Sequence, residues 1–361
     1  MLINIDIPGS PYKVNVGESV DGFGPRLKGL TKRPDVFVIT NETVAGLYME
    51  RLLTSLNSAG FSAKTISLPD GEQYKSLDTI RNIYVRMSEE KLERFTPVIG
   101  FGGGVVGDIS GFAASTYMRG LPFYNIPSSL IAQVDSAVGG KTGVNLPSGK
   151  NLVGTFYQPS YVHADTSLLA TLDHREYISG LAEVIKHALI SGEEFFQYLE
   201  NNVGNINELE ENAVEKIVSE CVRIKGDVVV KDEKESGLRR VLNLGHTLGH
   251  SIEAVSGYGN VRHGEGVSIG MVAAARIAVH AAGCSSDYAD RIEKLLAAFG
   301  LPVRIPSALK AGDIIDTMKL DKKVRERRIE FVLPVEPGKV QCGVPVEEDA
   351  VFKIVGELYE K

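Results

Sequence analysis

The stretch PVIGFGGGVVGDISGF (residues 97–112) passes from an apolar run through a cluster of glycines into a helical pattern. The apolar run predicts a buried strand, and Gly102, Gly103, Gly104 and Gly107 lie where the chain would enter the helix. Because such glycines let backbone amides approach a pyrophosphate at a helix N-terminus, the stretch indicates a dinucleotide-binding turn in an α/β protein. The spacing departs from the standard G-x-G-x-x-G, so tight packing of the helix on the sheet is the alternative.

Short apolar runs alternate with helical patterns on both sides of this stretch. The further candidate strands are DVFVIT (35–40), AKTISL (63–68), FYNIP (123–127) and YVHAD (161–165), and the candidate helices are residues 42–60 and 76–92. This alternation predicts a largely parallel, Rossmann-like sheet. Beyond about residue 170 helical patterns prevail, until a possible strand pair at residues 327–334 and 338–344. We therefore predict a nucleotide-binding α/β domain over residues 1–165 and a mostly α-helical domain over residues 166–361.

Composition places the chain among ordinary globular proteins. Its 361 residues suffice for two domains with sizeable cores, and 43% of them are hydrophobic and 24% charged. The formal net charge is −7, and no basic stripe with interleaved aromatic residues occurs. These features argue against nucleic acid as a partner.

The cysteines and the apolar stretches bear on the compartment. Cys221, Cys284 and Cys342 are isolated, which indicates neither a disulfide framework nor a cysteine metal site and fits a reducing cytoplasm. The N-terminus lacks the pattern of a signal peptide. The longest apolar stretch, residues 266–283, contains an arginine and a histidine, so it predicts a buried helix and no membrane span.

Three of the seven histidines lie within eighteen residues. His246 and His250 are one helical turn apart in NLGHTLGH, and His263 follows in RHGEG. Because neutral imidazole is a common ligand of zinc and similar ions, a metal site is the first hypothesis, and buried core histidines are the alternative. A zincin protease is disfavoured, since Thr247 stands where that pattern requires glutamate.

A carboxylate for this site is available in the amphipathic stretch SGLAEVIKHALI (179–190). Glu183, Lys186 and His187 follow one another at i, i+3 and i+4 within it. Glu183 is either a metal ligand with Lys186 as a neighbouring cation, or half of a surface ion pair of small energetic consequence. The spacing leaves both readings open.

A second glycine-rich segment, PSSLIAQVDSAVGGKTGVNLPSGKN (127–151), contains two Gly–Lys pairs. Lys141 and Lys150 follow glycines, with Asp135 close by and Arg119 upstream in STYMRG. The spacing does not match a Walker A loop. The lysines are either solvated loop charges or part of a cage for an anionic substrate, and their grouping favours the cage.

The blocks GGGVVGD, YMRG, IPSSLIAQVDSAVGGKTGVN, GKNLVGTFYQP, GLAEVIKHALI, LNLGHTLGHSIE, HGEGVSIGM and DKKVR together resemble the 3-dehydroquinate synthase family of the shikimate pathway. They span nearly the whole chain. The resemblance implies an NAD-binding N-terminal domain and a helical metal- and substrate-binding C-terminal domain. It also implies a divalent metal, zinc with cobalt as an alternative, a small sugar phosphate substrate and a cytoplasmic homodimer.

By resemblance, Glu183, His246 and His263 are the metal ligands, whereas His250 faces the substrate. This replaces the view from spacing that both histidines of the i, i+4 pair coordinate. The implied catalytic positions are Lys141, Lys186, Lys225, Arg239, Asn243 and His250. The further substrate-binding positions are Asp135, Lys150, Asn151, Lys322 or Lys323, and Arg119, which would reach the phosphate across a dimer interface. The implied nucleotide contacts are Asn41, Asp70, Gly71, Glu72, Gln73, Tyr74, Lys75, Gly104, Val105, Val106, Gly107, Asp108, Ser128, Ser129, Lys141, Lys150, Leu168, Leu169, Ala170 and Thr171.

The family's reaction explains this combination of residues. A ring alcohol of 3-deoxy-D-arabino-heptulosonate 7-phosphate is oxidised by NAD, phosphate leaves by β-elimination, and reduction, ring opening and aldol closure give 3-dehydroquinate. The alternatives are another sugar phosphate cyclase and a metal-dependent polyol dehydrogenase. Lys225 and Arg239 favour an acidic substrate over a neutral one, and the complete set of metal and anion residues disfavours a non-catalytic nucleotide sensor.

Overall fold

The computed structural model describes residues 1–257, 260–321 and 328–359, and the chain forms two units. The first comprises Met1–Leu172 and Val214–Lys234, and the second comprises Asp173–Ala213 and Glu235–Lys361. The sequence patterns had assigned all residues after 165 to the second domain.

The first unit is built on a seven-stranded sheet with a separate hairpin. Its strands are β1 (Leu2–Ile5), β2 (Tyr12–Val16), β3 (Asp35–Asn41), β4 (Ser62–Leu68), β5 (Val98–Gly102), β6 (Phe123–Pro127), β7 (Lys141–Leu146), β8 (Gly149–Phe156) and β9 (Tyr161–Ala164). The sheet order is β1-β2-β9-β6-β5-β3-β4, and every neighbouring pair is parallel except β1 with β2. The predicted strands are all present in a largely parallel sheet.

Helices cover both faces of this sheet. They are α1 (Phe23–Lys28), α2 (Glu42–Ser58), α3 (Leu77–Glu89) and α4 (Gly104–Thr116). Along β3, Val36 and Val38 join the core cluster on the α1–α2 side, whereas Phe37 and Ile39 join the cluster on the α3–α4 side. The alternation of side chains along an extended strand therefore supplies both cores, as expected for a parallel strand covered on two faces.

β7 and β8 form an antiparallel hairpin where the sequence suggested a loop. Glycines and lysines obscured the strand pattern. Thr155 Oγ1 donates to Ser115 Oγ at 2.9 Å, so the hairpin packs on α4. The lysines and the asparagine of the Gly–Lys segment are thereby carried on paired strands.

The second unit is mostly helical and contains one hairpin. Its elements, with the long helix that it shares with the first unit, are α5 (His174–Ser191), α6 (Glu193–Asn201), α7 (Val203–Asn207), α8 (Glu211–Lys231), α9 (His246–Val255), α10 (His263–Ala281), α11 (Ser286–Ala298), α12 (Ala311–Asp321), β10 (Arg328–Glu336), β11 (Lys339–Glu347) and α13 (Glu348–Glu357). The predicted strand pair is β10–β11. The predicted fold class, a Rossmann-like α/β region followed by a mostly helical one, is confirmed.

The helix α8 explains why the units differ from the predicted domains. Lys225 Nζ lies 2.7 Å from Asp135 Oδ1, and Gln158 Nε2 donates to Glu233 Oε1 at 2.9 Å, so residues 214–234 pack within the first unit. Helical periodicity in a sequence shows that one face is buried, but it does not show which partner covers that face.

The apolar stretch at residues 266–283 falls mainly in α10, which is buried among other helices of its unit. Glycines allow these helices to approach closely: a Cβ on Gly264 would lie 1.8 Å from the carbonyl oxygen of Ser179 in α5, and one on Gly270 would lie 1.9 Å from that of Gly245. None of the described helices combines the length and apolar character that crossing a bilayer requires.

Candidate active site

Three side chains of the second unit converge on one point. Glu183 lies in the middle of α5, and His246 and His263 are the first residues of α9 and α10. The Nε2 atoms of His246 and His263 lie 3.6 Å and 3.4 Å from Glu183 Oε1. One ligand-type atom from each residue lies within 4.8 Å of the others. This is the ligand set implied for the metal.

The two imidazoles are oriented by hydrogen bonds on their far sides. His246 Nδ1 lies 3.1 Å from the carbonyl oxygen of Leu244, and His263 Nδ1 lies 2.9 Å from Glu253 Oε1. Each Nδ1 therefore carries the proton for its acceptor, which leaves Nε2 facing Glu183. Two imidazoles and one carboxylate with an open fourth position are the donors of catalytic zinc sites, so these residues fit a zinc-like divalent ion.

Glu183 is fully buried, and so is its ion-pair partner Lys186. The alternative of an exposed surface pair therefore does not apply. Burial by itself raises the pKa of the Glu183 carboxyl, but Lys186 and the two histidines outweigh burial and hold that pKa well below its ordinary value. The carboxylate is consequently ionised, as a metal ligand must be.

The histidines differ in their electrostatic surroundings. Burial, and next the charge of Lys186, hold the pKa of His246 well below its ordinary value. Burial also lowers the pKa of His263, but hydrogen bonds to Glu183 and Glu253 outweigh it and raise that pKa to about 10. Negative charge therefore concentrates around His263, which favours a cation at this point.

His250 lies beside this cluster and is exposed. Its ring centroid is 5.1 Å from that of His246, but it groups with Glu253 and His263, whereas Glu183 groups with His246 and His263. The i, i+4 pair is thus divided between two groups. Sequence reasoning missed Glu253, although its position seven residues after His246 would place both on one helix face.

The segment before α9 positions two predicted substrate residues. Arg239 is buried, and Asn243 Nδ2 donates to Glu235 Oε1 at 3.0 Å. Arg240, by contrast, is exposed and pairs with the exposed Glu330 at 2.8 Å. The two adjacent arginines therefore have different environments. Sequence reasoning also missed Glu235, because a single glutamate in a loop has no pattern that distinguishes it.

In the first unit, one group of predicted nucleotide residues lies at the β5–α4 turn. Gly103 precedes α4 without a side-chain cap, so the helix N-terminus offers its amides to an anion. A Cβ on Gly103 would lie 3.4 Å from Ser129 Oγ, and the Ser128 amide donates to the Gly102 carbonyl at 2.9 Å. Gly103 therefore lies beside Ser129, and Val105, Val106 and Gly107 follow within α4.

A second segment predicted to contact the nucleotide follows β4. The side-chain Nδ2 of Asn41 donates to the Asp70 carboxylate. The Thr43 hydroxyl donates to the same carboxylate at 2.9 Å. After Gly71, at φ 122°, Glu72–Tyr74 forms a 3₁₀ turn that includes Gln73. This turn leads to Lys75, which is buried and whose Nζ lies 2.5 Å from Asp108 Oδ2. Burial raises the pKa of the Asp108 carboxyl despite the opposing charge of Lys75.

The third segment predicted to contact the nucleotide, residues 168–171, is half buried and half exposed. Leu168 and Leu169 are buried, and the Tyr48 hydroxyl donates to the Leu168 carbonyl at 3.2 Å. Ala170 and Thr171 are exposed. Of this segment, only the latter two present side chains to a ligand.

The predicted substrate residues of the first unit lie on the hairpin and in two turns. Lys225 is buried, and its Nζ contacts both Asp135 Oδ1 and the Asp135 carbonyl at 2.7 Å. Arg119 is exposed in a 3₁₀ turn with φ 71°. The hairpin residues are Lys141 in β7 and Lys150 and Asn151 in β8. Lys322 and Lys323 lie outside the described residues.

This chain is similar to known proteins in both sequence and fold. The family model "3-dehydroquinate synthase N-terminal" matches residues 65–179, and "3-dehydroquinate synthase C-terminal" matches residues 180–324. A 3-dehydroquinate synthase from Nostoc punctiforme is 42% identical over 357 residues, covering 98% of each chain.

Two solved structures extend the comparison. A 2-deoxy-scyllo-inosose synthase complexed with carbaglucose-6-phosphate, NAD+ and Co2+ is 25% identical, has a TM-score of 0.92, and covers 99% of this chain and 100% of that one. A 2-epi-5-epi-valiolone synthase from Streptomyces hygroscopicus subsp. jinggangensis with NAD+ and Zn2+ bound is 27% identical, has a TM-score of 0.88, and covers 96% of each chain. With both family models matched in succession, the chain belongs to the 3-dehydroquinate synthase family.

Proposed function

We propose that this chain is a 3-dehydroquinate synthase, a carbon–oxygen lyase. It converts 3-deoxy-D-arabino-heptulosonate 7-phosphate to 3-dehydroquinate and phosphate. The observation that carries the proposal is the convergence of Glu183, His246 and His263, in a chain of this family, on a point where three elements meet.

Glu183, His246 and His263 would hold the metal, for which we propose zinc, with cobalt as the alternative. The open helix N-terminus at Gly104 and the loop of Asp70–Lys75 would hold NAD. The chemistry supplied by the bound groups would be hydride exchange with a ring alcohol of the substrate, from NAD, and a lowered pKa of that alcohol, from the metal. The residues of the chain bind and orient the substrate and move its protons.

Cationic side chains would bind the two anionic groups of the substrate. Arg239 is buried, and its planar guanidinium can hold a carboxylate through two parallel hydrogen bonds. Lys225, held by Asp135, is the further cation that we propose for recognition of an acidic substrate. Lys141, Lys150 and Arg119 would bind the phosphate and neighbouring groups. Such fixed charges orient the substrate before reaction, which contributes more than their binding energy alone.

Proton transfer falls to groups beside the metal ligands. His250 is exposed next to the His263 ring, with centroids 5.8 Å apart, so its imidazole can exchange a proton with a bound substrate. Asn243, fixed by Glu235, would hold a substrate hydroxyl in place. Lys186 keeps Glu183 ionised. We further propose a homodimer, in which Arg119 completes the partner's site, and a cytoplasmic location.

The experiment that tests this function follows phosphate and NADH together. With catalytic NAD and the heptulosonate phosphate, the protein should release phosphate over many turnovers without net absorbance at 340 nm, the NADH wavelength. Chelation of the metal should stop turnover, and zinc or cobalt should restore it. Accumulation of about one NADH per turnover would instead identify a polyol dehydrogenase. Turnover of only a neutral sugar phosphate would identify another cyclase.

A further inference from the structure

Asn145, near the end of β7, hydrogen-bonds through three of its groups to two functional segments. Its backbone amide donates to the Lys75 carbonyl at 2.8 Å, and its Nδ2 donates to Glu72 Oε1 at 2.7 Å. Its Oδ1 accepts a hydrogen bond from the Asn151 amide at 2.9 Å. We call residues 70–75 the nucleotide loop and β7–β8 the substrate hairpin. The side-chain carboxamide of Asn145 therefore lies between the nucleotide loop and the turn of the substrate hairpin.

The local backbone explains this placement. The register of β7 with β8 shifts between Val144 and Leu146, so Asn145 falls at the irregularity. There it forms an isolated parallel bridge with Ser76, which follows the nucleotide loop. A strand irregularity of this kind redirects a side chain away from regular pairing. The hairpin and the nucleotide loop thus share backbone and side-chain hydrogen bonds.

Asn151 needs this support because its backbone is unfavourable. Its φ of 57° lies in the left-handed region, which costs a non-glycine residue energy unless its surroundings hold it. Asn145 Oδ1 holds its amide, and Lys75 Nζ, which also pairs with Asp108, lies 2.6 Å from its Oδ1. The contact with Lys75 comes directly from the nucleotide loop, and the contact with Asn145 comes from a residue of β7 that the same loop holds through Glu72 and the Lys75 carbonyl. The conformation of Asn151 therefore depends on the arrangement of the nucleotide loop.

We propose that Asn145 is a positioning residue that couples the nucleotide loop to the substrate hairpin. When NAD orders the loop, Asn145 transmits that order to Asn151 and to the adjacent Lys150. By reciprocity, a substrate held by the hairpin must tighten NAD binding by the same factor. This role deepens the proposed function and rests on it.

The chemistry of the contact requires a carboxamide. The Glu72 carboxylate only accepts hydrogen bonds, and the Asn151 amide only donates, so one residue must offer both a donor and an acceptor. Asn145→Asp keeps the acceptor for Asn151 but places a second carboxylate against Glu72. This substitution therefore removes the side-chain bond to Glu72, while the acceptor for Asn151 and the backbone bond to the Lys75 carbonyl are kept.

The test compares Asn145→Asp with Thr155→Val in the full-length protein. Thr155 Oγ1 bonds to Thr142 and Ser115 at the other end of the same hairpin, so its loss perturbs the hairpin without touching the nucleotide loop. Three quantities are measured: the Kd for NAD by calorimetry, the KM for the heptulosonate phosphate at saturating NAD, and the amide exchange of residues 148–153 with and without NAD.

Asn145→Asp should raise both the Kd for NAD and the KM by about tenfold, as expected for a lost hydrogen bond to a charged group. NAD should slow amide exchange in the hairpin of the wild type and of Thr155→Val, but not of Asn145→Asp. Glu72→Gln combined with Asn145→Asp restores a donor opposite an acceptor and should restore the protection by NAD.

Two results would overturn the coupling. One is a raised Kd for NAD with unchanged KM and unchanged hairpin protection, because Asn145 would then serve only the nucleotide loop. The other is an equal effect of Thr155→Val, which would indicate general loosening of the hairpin. If the wild type does not turn over the heptulosonate phosphate, the proposed function fails, and the protection of the hairpin by NAD still decides the role of Asn145.

Discussion

Replacing Glu253 by glutamine should weaken metal binding without removing a ligand. The Glu253 carboxylate is 8% exposed and accepts the hydrogen bond from His263 Nδ1 at 2.9 Å. Glutamine keeps the size and an acceptor oxygen but removes the charge. The imidazole Nδ1 then keeps an acceptor but loses the negative charge that increases the basicity of the ring toward a metal.

The magnitude follows from the type of bond that is lost. A hydrogen bond to a charged acceptor contributes about 1.5–3 kcal/mol, and a neutral one about 0.5–1.5 kcal/mol, so the exchange should cost about 1–2 kcal/mol. This corresponds to a rise of about five- to thirtyfold in the Kd for zinc. Removal of such outer partners of metal-ligating histidines generally costs about 10–100-fold, in the same range.

The assay is competition for zinc against a chelator of known affinity, with thermal unfolding of the metal-free protein as a check on folding. Glu176→Gln is the matched control. Its carboxylate pairs with Arg262, next to His263 in sequence, but both partners are more than a third exposed. Exposed pairs contribute about 0–1 kcal/mol, so zinc affinity should change less than about threefold. Equal effects of the two substitutions would refute the orienting role of Glu253.

Three further predictions concern the ligands, the anion site and the helix packing. His246→Ala should abolish both metal retention and turnover, whereas His250→Ala should keep the metal and lose turnover; equal metal loss by elemental analysis would make His250 a ligand. Arg239→Lys should reduce kcat/KM by the equivalent of about 1.5–3 kcal/mol with zinc and NAD affinity retained, and Arg240→Lys should be nearly silent. Similar kinetics for both would contradict the carboxylate assignment. Gly264→Ala places a Cβ 1.8 Å from a carbonyl oxygen of α5, so it should lower stability by about 1–3 kcal/mol and weaken zinc binding, and an unchanged denaturant midpoint would contradict the close packing.

Several elements were predictable because their signals are local. The strand at Val98–Gly102 and the helix from Gly104 follow from an apolar run, glycines and helical periodicity within twenty residues. The same holds for the buried helix α10. Strand β7 was not predictable, because its glycines and lysines carry no alternation and its stability comes from pairing with β8 and packing on α4.

The candidate site shows the same division. Histidine spacing and the family blocks pointed to Glu183, His246 and His263 as ligands, which remains a prediction, but spacing alone could not separate His246 from His250. Neither could it place Glu253 behind His263, since the partner of an imidazole nitrogen depends on side-chain rotation and on the neighbouring helix. Likewise the burial of Arg239 beside the exposed Arg240 depends on packing of the whole segment.

By itself the sequence determined the alternation of β3, β4 and β5 with α2 and α3, the glycine turn of β5–α4, and the chemical types available for metal and anion binding. These depend on neighbours within a few residues, where periodicity and backbone preference dominate. Only the tertiary structure decided that α8 joins the first unit, that Glu183 is buried with Lys186, and that Asn145 joins two segments. Those outcomes arise from contacts between residues distant in the chain, whose energies no local pattern records.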